Sequence, residues 1–323
     1  MLKRLLRFAL LLIPLMVAGS AMAQAWPTAK PIKIVIGFGP GSASDIFARL
    51  IGEQLSKALG QSVFVEARPG AAGQIGAEYV ARQPADGYTL SFNTNTTHSA
   101  NPFLFKKLNY DPMKDFTPIT RIAFFPFVLA VDANLPINSV AELVAYAKAN
   151  PQKASYSYSS STGQVSAAAL VNTMRMESVG VAYKSAPEAI TAVVGGQVTF
   201  TVVDFATSQP LIKAGRLRAL AVTSDTRTAL SPQLPTIAES TGLADFGISA
   251  WTGIFGPANM PPAIVERINA ELQKILAPKE MQDRIFSMGA NSAPQGPDEF
   301  KAYVRDQLAV WERQIRIAGM KAE

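Results

Sequence analysis

Four short stretches of the chain gather glycines and small polar side chains where an apolar run gives way to a helical pattern. They are Phe38-Gly39-Pro40-Gly41-Ser42-Ala43-Ser44-Asp45, Asn93-Thr94-Asn95-Thr96-Thr97-His98-Ser99 and Ser159-Ser160-Ser161-Thr162-Gly163-Gln164. The fourth combines Tyr183-Lys184-Ser185-Ala186-Pro187 with Asp204, which follows the apolar run ending at Val203. The chemistry they offer is recognition of an anion. The first N–H groups of a helix have no intrahelical acceptor, and the helix dipole adds positive potential there. Glycines allow close approach, and Ser42 or Ser44 can cap the helix or donate to a carboxylate. Asp204 could receive a ligand amine or hydroxyl. Each feature also has a plain structural reading. Asp45 could bond its own first turn and pair with Arg49, the two polar loops could be solvated, and Asp204 could bond the backbone.

Other chemistries lack their residues. The chain has 323 residues, no cysteine and a single histidine, so thiol chemistry, thiolate metal sites and multi-histidine metal sites are excluded. Gly39-x-Gly41-x-x-Ser44 with Glu66 on the next strand imitates a dinucleotide fingerprint, but Ser44 replaces the third glycine and Pro40 stiffens the turn. A Ser–His–Asp hydrolase would depend on His98, and no G-x-S-x-G elbow occurs. No cofactor and no metal are expected.

The elements that position these loops alternate in type. Ile32 to Phe38, Ser62 to Glu66, Tyr88 to Phe92, Phe127 to Val131, Ala154 to Ser159, Val179 to Tyr183, Gln197 to Val203 and Arg218 to Thr223 read as strands. Helical patterns cover Ser44–Leu59, Gln74–Arg82, Val140–Asn150, Val165–Met176, a segment from Pro187 to Gly195, Ala263–Leu276 and Pro297–Ala318. This predicts an α/β protein, mostly parallel sheets flanked by helices. The economical arrangement is a two-lobed clamshell: residues 24–122 with 226–323 in lobe 1, and 123–225 in lobe 2. A single large sheet fits the periodicity nearly as well. In such sheets ligands sit beyond the carboxyl ends of the strands, where the four loops fall.

Residues 1–23 read as a secretory leader. Lys3, Arg4 and Arg7 precede an apolar run from Phe8 to Ala18, and Ala21-Met22-Ala23 supplies a cleavage site after Ala23. The run is shorter than the roughly 20 apolar residues of a spanning helix, and Pro14 interrupts it. The whole chain carries 30 basic and 24 acidic residues, net +6; the leader removes three basic ones, leaving 27 against 24, or +3. The charges are interspersed, so nucleic acid is not an expected partner. The expected location is the periplasm.

Taken in order, the motifs resemble the tripartite tricarboxylate transporter substrate-binding proteins, the Bug family of periplasmic solute receptors. The resemblance rests on eight stretches spread over about 200 residues. They are Ile34-Val35-Ile36-Gly37-Phe38-Gly39-Pro40-Gly41, Asp45-Ile46-Phe47-Ala48-Arg49, Glu66-Ala67-Arg68-Pro69-Gly70-Ala71-Ala72-Gly73 and Pro84-Ala85-Asp86-Gly87-Tyr88-Thr89-Leu90. Asp111-Pro112-Met113-Lys114-Asp115-Phe116-Thr117-Pro118-Ile119 is the most distinctive; Gly195-Gly196-Gln197-Val198, Leu217-Arg218-Ala219-Leu220-Ala221-Val222 and Leu234-Pro235-Thr236-Ile237-Ala238-Glu239 follow.

The resemblance implies a monomeric clamshell receptor that binds a small carboxylate and delivers it to membrane transporter subunits. It implies that loops 38–45 and 93–99 hold one carboxylate, while 159–164, 183–185 and Asp204 determine what else the ligand carries. The chain departs from the family pattern at Ser42, at Ser166-Ala167-Ala168 where a histidine is common, and at Ala182-Tyr183-Lys184-Ser185 in place of Pro-Tyr-Lys-Gly. With Phe125, Tyr158 and Phe205 nearby, these small residues would admit a larger or aromatic acid such as terephthalate. Two other functions remain open, an exported ester hydrolase and a sensory partner of a membrane kinase.

Overall fold

The computed structural model describes residues 26–229, 231–243 and 246–322. The expected leader lies outside the described residues.

The chain opens with a parallel β–α–β–α–β unit: β1 (Ile32–Ile36), α1 (Ala43–Leu59), β2 (Val63–Ala67), α2 (Gln74–Ala81) and β3 (Thr89–Thr94). The order of residues in β1 explains its two faces. Ile32, Ile34 and Ile36 point to one side and join Phe47, Ile51 and Leu55 of α1 in the largest apolar core. Val35 points the other way, with Ala77 and Val80 of α2. Phe47, Ile51 and Leu55 are fully buried, and burying each contributes about 1.5–3 kcal/mol. After β3 come a π-type turn (Thr96–Ala100) and the short α3 (Asn101–Leu104).

β4 (Phe116–Asp132) joins the two halves of the molecule. Its first part, up to Pro126, pairs antiparallel with β9 (Ser249–Pro257). From Phe127 onward it pairs antiparallel with β7 (Phe200–Asp204) and β8 (Leu217–Val222). The second half adds α4 (Val140–Ala149), β5 (Ser155–Tyr158), α5 (Ser161–Thr173), β6 (Val179–Ala182), α6 (Ala186–Val194) and α7 (Phe205–Lys213). α8 (Ile237–Thr241) follows β8, and α9 (Pro262–Leu276), α10 (Lys279–Ser287), β10 (Asn291–Ser292) and α11 (Pro297–Ile317) close the chain. The strand order is β2-β1-β3-β9-β4-β7-β5-β6, with β8 and β10 also pairing with β4.

The α/β class and the two-lobed form are as the sequence predicts, but the sheet is more mixed. β1, β2 and β3 are parallel, as are β5, β6 and β7, while β4, β8, β9 and β10 introduce antiparallel pairs. The periodicity recovers only part of β4, and β9 not at all. Pro118 and Pro126 cannot donate to the ladder, yet β4 runs through both, with irregular register near Pro118 and again between Arg121 and Ala123. Pro210 hides α7 in the same way, since it sits inside that helix.

Residues just after β8 stay with the second half rather than returning at 226. Val222 bridges to Thr236, and α8 packs against β8 and α4. The first half resumes at β9, next to Ile248, whose N–H donates to the Thr223 carbonyl at 2.9 Å.

Candidate functional site

Three helices that face the crevice begin with a serine cap and one with an aspartate cap. Ser42 accepts from the Asp45 N–H at 3.3 Å, Ser160 from Gly163 at 3.3 Å, Ser185 from Glu188 at 3.4 Å, and Asp204 from Thr207 at 2.8 Å. The caps fix the starts of α1, α5, α6 and α7, leaving first-turn N–H groups such as those of Ala43, Ser44, Ser161 and Ala186 without intrahelical acceptors. Asp45 steadies the first loop further: it accepts from the Gly41 N–H at 3.0 Å and pairs with Arg49 at 2.8 Å. Gly41 itself has φ 76°, a left-handed conformation that glycine adopts without strain.

These starts converge on one cavity. It is lined by Phe38, Ser42, Ala43, Ser44, Thr94, Asn95, Thr96, Phe125, Phe127, Ser159, Ser160, Thr162, Ala186, Asp204 and Ala250. Its empty space, counting the mouth, is about 370 Å³, at the small end of the range for ligand pockets. Among the described residues neither lysine nor arginine lines it, and Asp204 is the one ionisable lining residue. Positive potential there comes from helix dipoles and backbone amides. Phe38, Phe125 and Phe127 supply apolar wall, with Phe125 and Phe127 stacked at 6.1 Å between centroids. Burial pushes the Asp204 pKa up, while the capping contacts with Thr207 pull it down.

Hydrogen bonds and close packing join the two lobes around the cavity. The Asn95 side-chain amide donates to Thr162 Oγ1 at 2.7 Å, and its oxygen accepts from the Trp251 N–H at 3.2 Å. Ser161 donates to Asn101 Oδ1 at 3.0 Å. At the mouth, Gly39 faces Ser185 and Gly41 faces Pro187; a Cβ on Gly39 would lie 3.0 Å from Ser185 Cβ. The lobes are closed on one another.

Of the residues singled out in the sequence, Phe38, Ser42, Ala43, Ser44, Asn95, Thr96, Ser159, Ser160, Thr162 and Asp204 line the cavity. Gly39, Gly41, Asp45, Ser161 and Ser185 build its frame. Five others point elsewhere or serve the scaffold. Asn93 donates to Ser91, Gly163 lies so close to the Val202 carbonyl that no side chain fits, and Gln164 donates to the Tyr158 hydroxyl. Tyr183 packs beside the second core cluster, and Lys184 is exposed.

His98 departs furthest from expectation. It is fully buried, its ring 4.6 Å from that of Phe116 and 4.2 Å from that of Phe255. Nδ1 lies 3.1 Å from Thr97 Oγ1, and burial pushes its pKa down to about 3. It is a neutral core ring and lies outside the cavity lining. Much of the polar run 93–99 folds into the interior with its side chains bonded to one another and to the backbone, as Thr97 Oγ1 is to the Thr94 carbonyl, while His98 Nε2 and Ser99 Oγ are buried without a hydrogen-bond partner.

Thr94 and Ala186 lie within loops that the sequence flags, but neither stands out there. Phe127 and Ala250 carry no sequence signal for the site: one belongs to a buried strand run, the other to a strand that the periodicity does not show. Tyr158 and Phe205 do not line the cavity. The second glycine loop, Arg68–Gly73, braces the first, since Gly37 and Gly73 approach so closely that a Cβ on Gly37 would meet Gly73 Cα at 2.8 Å. Among the described residues no group of three His, Cys, Asp or Glu side chains could hold a metal ion, and no helix is long and apolar enough to cross a membrane.

Two α/β lobes closed over a crevice lined by helix N-termini define the class of periplasmic solute-binding receptors. A family model described as "Tripartite tricarboxylate transporter family receptor" matches residues 47–320, and the chain belongs to that family. It is 37% identical, over 97% of its length and 93% of the relative's, to a UPF0065 protein of Bordetella bronchiseptica. Among solved structures it resembles R. palustris Rpa4515 with adipate, at TM-score 0.89 and 33% identity, covering 92% of this chain and 100% of that one. It also resembles the periplasmic binding protein BugD, at TM-score 0.86 and 29% identity, covering 91% and 99%.

Proposed function

We propose that this chain is exported to the periplasm, captures a small carboxylate between its lobes as a monomer, and presents it unaltered to the membrane subunits of a tripartite tricarboxylate-type transporter. The observation that carries the reading is the convergence of four capped helix N-termini on one cavity whose lining holds no cationic side chain. Such a site stabilises negative charge with fixed backbone dipoles, and no lysine or arginine needs to be desolvated. First-turn amides of α1 and the Asn95–Thr96 turn take the carboxylate, and groups from 159–162, Ala186 and Asp204 contact the remainder.

Closure follows from contacts to both sides, because only a ligand that binds the closed form better can shift the equilibrium. In this reading the lobes turn about β4 near Pro126 and the return at Thr223 and Ile248. Charge-assisted hydrogen bonds of about 1.5–3 kcal/mol each supply most of the roughly −8 kcal/mol that a micromolar affinity requires. The adipate carried by the R. palustris protein supports an acid as ligand. The Phe38, Phe125 and Phe127 wall supports a flat or apolar body, which brings aromatic acids such as terephthalate into the class.

A thermal-shift and calorimetric screen of aliphatic, amino and aromatic carboxylates, each beside its uncharged amide, tests the proposal. Carboxylates should raise the midpoint and bind one per chain, and the amides should not. Equal response to acid and amide, or none to any acid, would contradict it.

A further inference from the structure

We propose that Asn101 and Ser161 form a latch between the lobes, a pair of positioning residues that hold the start of α5 against the first lobe. They touch no ligand, and they set how long any bound acid is retained. The inference rests on the clamshell reading and concerns its closure.

Neither side chain lines the cavity. Asn101 is fully buried and Ser161 is 1% exposed, and the Ser161 hydroxyl donates to Asn101 Oδ1 at 3.0 Å. The direction of that bond is fixed. Asn101 Nδ2 donates at 3.0 Å to the Ala72 carbonyl, which can only accept, so the amide oxygen is the atom that faces Ser161. Nδ2 also reaches the Tyr110 hydroxyl at 3.4 Å, and that hydroxyl donates to the Thr97 carbonyl at 2.8 Å. Asn101 is thus anchored within the first lobe and turns its oxygen to the second. Ser161 is available to meet it because Ser160 does the capping of α5.

Beside this bond Asn95 donates to Thr162 Oγ1 at 2.7 Å, so two asparagines of one lobe hold two successive hydroxyls of the other. Asn95 and Thr162 belong to the cavity lining, where a ligand can compete with them; Asn101 and Ser161 lie outside it. The rest of α5 is seated in the same way. Its Val165, Ala167 and Leu170 share one apolar core with Trp311 and Ile315 of α11, which packs against it. At its far end Asn172 Nδ2 donates to the Ile317 carbonyl at 3.4 Å.

A bond made only while α5 lies on the first lobe favours the closed form whichever acid is bound. Removing one partner leaves the other's polar atom buried and unpaired in the closed form. Apparent affinity then falls with the fraction of chains able to close.

The test is stopped-flow and calorimetric titration of the mature chain and its Ser161→Ala variant with succinate, malate, adipate, benzoate and terephthalate. Alanine is a good helix former and the Ser160 cap is untouched, so α5 keeps its start. Dissociation constants should rise about tenfold, by one common factor for every acid that binds the wild-type chain. The change should lie in the dissociation rate. In Asn101→Ala, which also loses the Ala72 and Tyr110 bonds, adding Ser161→Ala should cost nothing further. Unchanged affinity overturns the inference, as does a loss confined to association or a full further loss in the double variant. A factor that differs from acid to acid overturns it too, since that is the mark of a ligand contact. The Ser161→Ala series decides the matter even if Asn101→Ala fails to fold. Failure of the receptor reading looks different: no acid binds the wild-type chain, and the latch falls with it.

Discussion

His98 shows how one residue type can mislead and still be informative. A lone histidine in a run of seven polar residues reads as a turn residue or ligand contact, yet its ring sits between Phe116 and Phe255. Those partners come from distant strands, and nothing local announces them. Asp204, by contrast, is legible: an acid directly after an apolar strand, opening the next segment, has either a cap or a ligand to serve, and this one caps a helix at the cavity wall. The buried histidine has a measurable consequence. Its pKa falls from the ordinary 6.5 to about 3 on folding, so the unfolded chain takes up a proton below pH 6.5 that the native chain refuses. This contribution to stability is fully present above about pH 6.5 and is lost as pH falls toward about 3, by up to about 1.4 kcal/mol per pH unit. The chain has one histidine. In His98→Phe, which keeps an aromatic ring in the slot, urea midpoints between pH 4 and 7 should depend less steeply on pH. Identical slopes in the two proteins would contradict the assignment.

At the scale of elements, the readable parts are those whose period and punctuation agree. β1 and α1 can be placed because IKIVI is followed by a glycine turn, a serine cap and an amphipathic stripe. The serine loop reads as a connection before a helix, but Ser161 already belongs to α5, so the hydroxyl-rich stretch is the helix start itself. β4 is largely hidden because it is buried along most of its length and carries two prolines, which removes both alternation and continuity as signals. The opposed loops at the mouth give the element-scale prediction. Gly39 has a φ that other residues can adopt, and a side chain there points at Ser185 across the crevice. Gly39→Val should therefore hold the lobes apart, weakening carboxylate binding about tenfold while the ligand-free thermal midpoint changes little. Full affinity in that variant would show that the mouth need not close.

The whole molecule is two sheets' worth of α/β structure sharing β4, and its function lies in how the halves meet. The α/β class, the crevice and ten of its lining residues are legible in the sequence, since strand-to-helix loops fall at the carboxyl ends of strands. The division between lobes is less so, because the return path depends on packing: α8 stays on β8 and α4 through the bridge at Thr236, a tertiary choice with no local signature. Side-chain bonds such as Asn95–Thr162 and Asn101–Ser161 connect sites more than fifty residues apart and cannot be inferred from spacing.

The central claim is that both lobes grip an acid through amides at helix starts. A crystal structure of the chain with its tightest-binding carboxylate tests it most directly. The account predicts carboxylate oxygens within hydrogen-bond distance of backbone N–H groups at Ser42–Ser44 or Asn95–Thr96, directly or through one water, and other ligand atoms touching 159–162, Ala186 or Asp204. A ligand bound outside the crevice, or held by one lobe alone, would contradict it.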